Sequence, residues 1–159
     1  MDIEPLLKKF EELQGNERIK AQRQASGKAL KVIKTAVLNQ MQLAGIPMDR
    51  PNKKYPDQIP RDGVRMSVYK DGEGGSVYIH PNVNYALIFV NQGTKKRGYT
   101  PQKGKRYGVK SISSETFHET GGIESRNFIG KGLQSAESTA INILNTELEK
   151  AINDLWKKR

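Results

Sequence analysis

The sequence predicts an α+β fold: a small antiparallel sheet, formed by a hairpin over residues 64–80 plus the adjacent segment, packed against two long helices and carrying a long basic arm. Three observations carry that prediction. Apolar residues recur every three or four positions over residues 17–43 and again over 127–158, the spacing of amphipathic helices. Val64, Met66 and Val68 alternate with Arg65, Ser67 and Tyr69, and a glycine-rich turn at Lys70-Asp71-Gly72-Glu73-Gly74-Gly75 separates them from Ser76-Val77-Tyr78-Ile79-His80, the pattern of a hairpin. Residues 95–122 have little apolar period, and stretches of that length without structure of their own are usually functional or order only on binding. The 159 residues amount to one domain's worth of chain, so residues 1–159 are read as a single domain.

Taken in order, Pro5 behind Asp2 and Glu4 opens a short helix over residues 5–14, with Leu6, Leu7, Phe10 and Leu13 at helical spacing and Gly15-Asn16 at its end. The longer helix over 17–43 sets Ile19, Ala25, Ala29, Ile33, Ala36, Val37 and Met41 in one stripe. Lys20, Arg23, Lys28, Lys31 and Lys34 fill much of the remainder, a solvated face that by itself requires no ligand. Gly45-Ile46-Pro47 stops that helix, and the prolines of residues 44–62 make an irregular connector.

After the hairpin comes the most apolar run of the chain, Tyr85-Ala86-Leu87-Ile88-Phe89-Val90-Asn91, ending at Gln92-Gly93-Thr94. Burying a large side chain is worth about 1.5–3 kcal/mol, so Tyr85, Leu87 and Phe89, with Gly93 closing the run, are read as core anchors, joined by Phe128 and Leu144 from the last helix. The run is too short for its period to separate a buried strand from a short buried helix. Gly93 can take the positive φ that ends either one. The final helix, over 127–158 with Ser125 as its expected cap, carries Ile129, Leu133, Ala136, Ala140, Leu144, Leu148, Ala151 and Leu155. At about 45 Å it exceeds the body of a small domain, so its end near Trp156 is expected to meet a neighbour or solvent.

Composition narrows the function. Hydrophobic residues make up 35% and mean hydropathy is −0.71, which points to an oligomer or to long exposed loops. No cysteine is present, which excludes disulfides, thiol chemistry and the usual zinc sites. Met1-Asp2-Ile3-Glu4-Pro5 is acidic where a secretory leader is basic, and no apolar run approaches membrane-spanning length, so a soluble protein without membrane contact is expected. The net charge of +10 suits an anionic partner. Its densest concentration is the arm, where Lys95, Lys96, Arg97, Lys103, Lys105, Arg106 and Lys110 follow one another without an acid, interleaved with Tyr99 and Tyr107. Those cations and tyrosines are the candidate contact to DNA phosphates or to the acidic face of a neighbouring subunit.

Catalytic chemistry finds no residue set. His80 and His118 have no second imidazole or thiol to complete a metal site, and His80 reads as a polar surface residue. The Asp71–Gly75 turn lacks both the acidic ligands of an EF-hand and the lysine of a P-loop. Ser111, Ser113 and Ser114 near His118 have no orienting acid, and Glu115 with Glu119 lacks the rigid frame of a paired-carboxylate hydrolase. No catalytic residue, cofactor or metal is therefore expected.

The order of elements and several phrases resemble the tail-completion or neck proteins of long-tailed double-stranded-DNA phages, minor structural proteins of head–tail joining. Residues 3–13, with Ile3-Glu4-Pro5-Leu6-Leu7, look like that family's first helix, and the alanine- and lysine-rich residues 21–41 look like its second. Tyr85 to Thr94 is similar to its aromatic run ending in Gly-Thr. Asn127-Phe128-Ile129 followed by Leu133-Gln134-Ser135-Ala136 is similar to the phrase opening its last helix. The chain departs from the pattern at Asn91-Gln92, where the family carries an acid, at Asn127, where it prefers proline, and in its longer arm. The resemblance implies a short helix over 85–90 and a virion protein of the neck or tail, made in the host cytoplasm. It further implies a ring of identical subunits, six favoured and twelve the alternative, bound to adjacent connector and tail-tube proteins, with genomic DNA passing through. The alternative from another class is a basic nucleic-acid-binding module using the arm and the lysine face of residues 17–43.

Overall fold

A computed structural model describes residues 15–50, 59–95 and 122–157, together with Lys8, Glu11, Pro56 and the backbone of 97–99 and 118–120; Lys96 falls outside them. The expected helix over 5–14 lies outside the described residues except for Lys8 and Glu11, both helical. The elements are α1 (Gly15–Leu43), α2 (Pro60–Gly63), β1 (Val64–Val68), β2 (Gly75–Ile79), α3 (Pro81–Asn84), α4 (Ala86–Gln92), β3 (Arg97–Tyr99), β4 (His118–Thr120) and α5 (Phe128–Trp156). This is the α+β arrangement of a two-stranded antiparallel sheet against a long helix pair.

The two long helices are antiparallel and equal in length, 29 residues or about 43 Å each. Lys28, midway along α1, forms an ion pair with Glu147 in the second half of α5, whereas Val37, further along α1, meets Gly132 near the start of α5. The expectation that α5 outruns its own core is thereby corrected: α1 matches it, and Ala151 and Ile152 are buried near its end.

Small residues make the contact. Ala21, Ala25 and Ala29 are buried on α1, and Gly132, Ala136 and Ala140 on α5. A Cβ on Gly132 would sit 2.6 Å from Val37 Cα and 2.8 Å from Val37 N, so the two backbones approach too closely there for any side chain. The expected α5 stripe is corrected accordingly: Leu133 is 49% exposed and Ile141 50%, and Leu144 is only half-buried. Close helix packing selects for smallness, so the larger apolar residues beside the seam turn partly outward.

Above the C-terminal half of α1 lies the hydrophobic core of Val37, Met41, Val64, Leu87 and Phe128, flanked by Ile33, Leu38, Ile46, Met48, Val77, Ile79, Val90 and Ile129. Strands β1 and β2 pair antiparallel with Val64 opposite Ile79 and Val68 opposite Gly75, as the alternation predicts, although Met66 is exposed. The turn is pinned to α1, where the Ser26 hydroxyl donates to Gly72 O (3.0 Å). Helix α1 ends with Ile46 N–H donating to Met41 O and Gly45 N–H to Gln42 O, the paired bonds of a Schellman cap. Pro60 does not belong to an extended connector; it opens the turn of α2, whose first position needs no N–H.

The apolar run is a helix, which removes the strand reading, and among the described residues no third strand joins the hairpin. Only Leu87 of α4 is buried. Tyr85 is 57% exposed and Phe89 half-buried, their rings edge-to-face at 5.0 Å, so neither is the core anchor expected. The physical reason is the period: Leu87 and Val90, three apart, face the core, which leaves Tyr85 and Ala86 pointing out. His80 is likewise no surface residue. It is half-buried, its N–H donates to Gly63 O (2.8 Å), and its Nδ1 is buried without a hydrogen-bond partner.

Candidate assembly junction

The residues that end α4 and those that begin α5 are some thirty positions apart in sequence, yet they form one hydrogen-bonded junction at the base of the basic arm. Gly93 adopts φ 77°, a left-handed value that glycine tolerates, and its N–H donates to Phe89 O at 2.7 Å. The returning chain then passes directly over it: a Cβ on Gly93 would lie 2.8 Å from both Ile123 O and Ser125 N. Position 93 therefore requires glycine for conformation and for space. Beside it, Thr94 N–H donates to Ile123 O (2.8 Å) and Ile123 N–H donates back to Thr94 Oγ1 (3.0 Å), which closes the arm at its root.

Asn91 organises the start of α5. Its carbonyl accepts the Asn127 N–H (3.0 Å) and the Ser125 hydroxyl (2.7 Å), and its Oδ1 accepts the Ile129 N–H (3.1 Å). Helix N-termini leave donors without intrahelical partners, and here a side chain from another helix supplies the acceptor. Ser125 is thus not the cap expected for it. Asn127 precedes the helix at φ 43° and ψ 42°, a left-handed conformation that asparagine tolerates and that proline, with φ locked near −65°, cannot adopt. Arg126 completes the tie: its N–H donates to Val90 O (3.0 Å) and its Nη1 to Ala44 O (3.4 Å), at the end of α1.

From this root the arm leaves as an antiparallel ribbon, with Arg97 opposite Thr120, Gly98 opposite Glu119 and Tyr99 opposite His118. A wholly unstructured arm over 95–122 is therefore corrected at both ends. Lys95 is exposed at the start of the ribbon, and Arg97 and Tyr99 lie on β3. Lys103, Lys105, Arg106, Tyr107 and Lys110 lie outside the described residues. Among the candidate anchors, Gly93 and Phe128 meet at the junction and the adjoining core, while Leu144 lies over ten residues further along α5. The coupling by Asn91 was not anticipated from sequence; its signal was the polar quartet Asn91-Gln92-Gly93-Thr94 closing an apolar run.

Among the described residues no group of three His, Cys, Asp or Glu side chains is placed to hold a metal ion, and no helix is long and apolar enough to cross a membrane. What the junction offers is mechanical: hydrogen bonds tie the root of the arm to the ends of α1, α4 and α5. Comparison with known proteins finds no family model, no curated protein and no solved structure that matches this chain.

Proposed function

We propose that this chain is a non-enzymatic structural subunit of the neck or tail-completion class of long-tailed double-stranded-DNA phages, assembling with copies of itself into a closed ring at the head–tail or tail-terminus junction. The observation that carries the reading is the junction: the two phrases of strongest resemblance, Tyr85 to Thr94 and Asn127 onward, are joined by the Asn91 and Thr94 hydrogen bonds at the root of the arm. An arm clamped at its root and rich in cations suits a contact to the next subunit, its charges meeting a neighbour's acids. Exposed Leu133 and Ile141 on α5 and exposed Tyr85 supply apolar surface for the same purpose.

Heterologous contacts between identical subunits close into rings when the rotation permits, six copies being the favoured number and twelve the alternative. The ring would sit in the virion between connector and tail-tube proteins, with genomic DNA passing through it. Native mass spectrometry of the purified chain, alone and with its connector and tail-tube neighbours, tests this. A closed oligomer of defined mass is expected; monomer alone under both conditions at high concentration refutes it.

A further inference from the structure

We propose that the outer edge of β1, with Lys31 and Lys34 of α1 alongside it, is a docking site for an extended acidic peptide segment that joins the hairpin as a third strand. His80 N–H donates to Gly63 O (2.8 Å) and Tyr69 N–H to Gly74 O (3.0 Å), one at each end of the hairpin. Bonded and non-bonded pairs alternate along an antiparallel ladder, so Arg65–Tyr78 and Ser67–Ser76 are the bonded pairs between those two. The N–H and C=O groups of Val64, Met66 and Val68 therefore point away from β2. The Val64 N–H returns to Arg61 O. The Val64 carbonyl, both groups of Met66 and the Val68 N–H have no partner among the described residues. The Met66 side chain shows the same opening. It shares the inward face of β1 with Val64 and Val68 yet is 38% exposed, whereas Val77 opposite it packs on the core.

The seating of the hairpin on α1 places the cations. Gly75 of β2 lies on Leu30, and a Cβ on Gly27 would sit 3.8 Å from Val68 of β1. Leu30 and Gly27 are about 60° apart around the helix, so β2 and β1 follow neighbouring lines along it, and Val64 meets Val37 and Met41 further on. Lys34 stands two turns beyond Gly27 and within about 20° of its line, under β1. Lys31 stands about 40° further round, on the side away from β2, and so borders the open edge. Lys31 is exposed and Lys34 half-buried, and neither is in an ion pair among the described residues. Strand β1 holds Arg65 and no acid, and α1 holds none from Arg18 to Leu43. Asp62 precedes the strand in α2, and Asp71 and Glu73 lie in the turn beyond Val68.

Chemistry selects the partner. A row of alternating donors and acceptors at strand spacing matches another polypeptide backbone, which is how extended peptides add to a sheet edge. Phosphodiesters only accept, so a nucleic acid would leave the edge carbonyls unpaired. Sheet edges are commonly blocked by proline, a bulge or an inward-pointing charge, and Val-Arg-Met-Ser-Val has none of these on its inward face. Every second side chain of an added strand points to the α1 side, beside Met66 and over Lys31. Carboxylates at those positions complete the ion pairs this chain leaves open, and lysines there are repelled. The site is independent of whether the chain closes into a ring.

Fluorescence anisotropy of the full chain with a labelled, end-capped peptide of alternating glutamate and valine, about nine residues long, tests the proposal beside a lysine–valine counterpart. The acidic peptide should bind and the basic one should not, and hydrogen exchange should show the Met66 and Val68 amides gaining protection in the complex. Met66→Pro removes an outward N–H while sparing the bonds to β2, and should weaken binding by about tenfold or more. The acidic peptide N-methylated at every second residue on its pairing side should not bind the wild-type chain, a result that does not depend on the proline variant folding. Lys31→Glu should weaken the acidic peptide by about fivefold or more and admit the lysine–valine peptide in its place. No binding of the acidic peptide overturns the proposal. Binding that leaves the Met66 and Val68 amides unprotected overturns it too, because the peptide then lies on the arm. Loss of self-association in Met66→Pro also overturns it, because a second copy then holds the edge.

Discussion

Replacing Gly132 by valine tests the claim that the helix pair is held by smallness. The new Cβ would begin 2.6 Å from Val37 Cα, 2.8 Å from Val37 N and 2.7 Å from Val37 Cγ2. Two of those three atoms are backbone, so no rotamer change relieves the overlap and α1 and α5 must separate. Overpacking of this kind typically costs about 1–3 kcal/mol, and a backbone obstacle places it at the upper end. Valine is a slightly better helix former than glycine, which returns a few tenths of a kcal/mol. A net loss of about 2–3 kcal/mol is expected. The adjacent Leu133→Ala is the control: the side chain is 49% exposed, so about half of a leucine's burial value is at stake, and alanine's helix propensity offsets part of that. It should cost about 1 kcal/mol or less. Urea unfolding followed by far-ultraviolet circular dichroism measures both, and with a slope of about 1–3 kcal/mol per molar the midpoint of Gly132→Val should fall by about 1–2 M. If Gly132→Val unfolds within about 0.5 kcal/mol of the wild type, or Leu133→Ala costs more than it does, the close contact at Val37 is not what holds the helices together.

Three further outcomes test the junction and the core. Gly93→Ala places a side chain at φ 77° against Ile123 O and should lose at least about 1–2 kcal/mol, and hydrogen exchange at the Thr94 and Arg126 amides should accelerate; unchanged protection there would show that the root of the arm tolerates a Cβ. Asn91→Ala removes the acceptor for the Ile129 N–H and should cost about 1–2 kcal/mol, whereas Asn91→Asp keeps it and places a carboxylate at the start of α5; equal melting temperatures for the two variants would remove the capping role. Phe128→Ala should cost about 3–5 kcal/mol because the ring is fully buried, while half-buried Leu144 should lose less than about 2 kcal/mol on truncation, and the reverse order in a denaturant series would relocate the core.

Much of the architecture was legible because it rests on local patterns. The alternation at Val64, Met66 and Val68 and the glycine-rich turn predict the hairpin in its observed span. The three-and-four spacing predicts both long helices to within two residues at each end. The candidate site was legible in part: Gly93 as a terminator and Phe128 as a core residue follow from residue type and position. The junction itself was not, because Asn91 and Ile129 are brought together only by the packing of α4 on the start of α5.

By itself the sequence determined the α+β class, the lengths of α1 and α5, the hairpin and the density of cations along α1 and the arm, since each depends on periodicity or composition within a short window. Tertiary structure decided which of the large apolar residues expected in the core, Phe128 aside, lie inside. The Gly132–Val37 approach turned Leu133 outward, and helical phase left Tyr85 exposed and Leu87 buried, because burial depends on how near the opposing backbone comes and not on how apolar a side chain is.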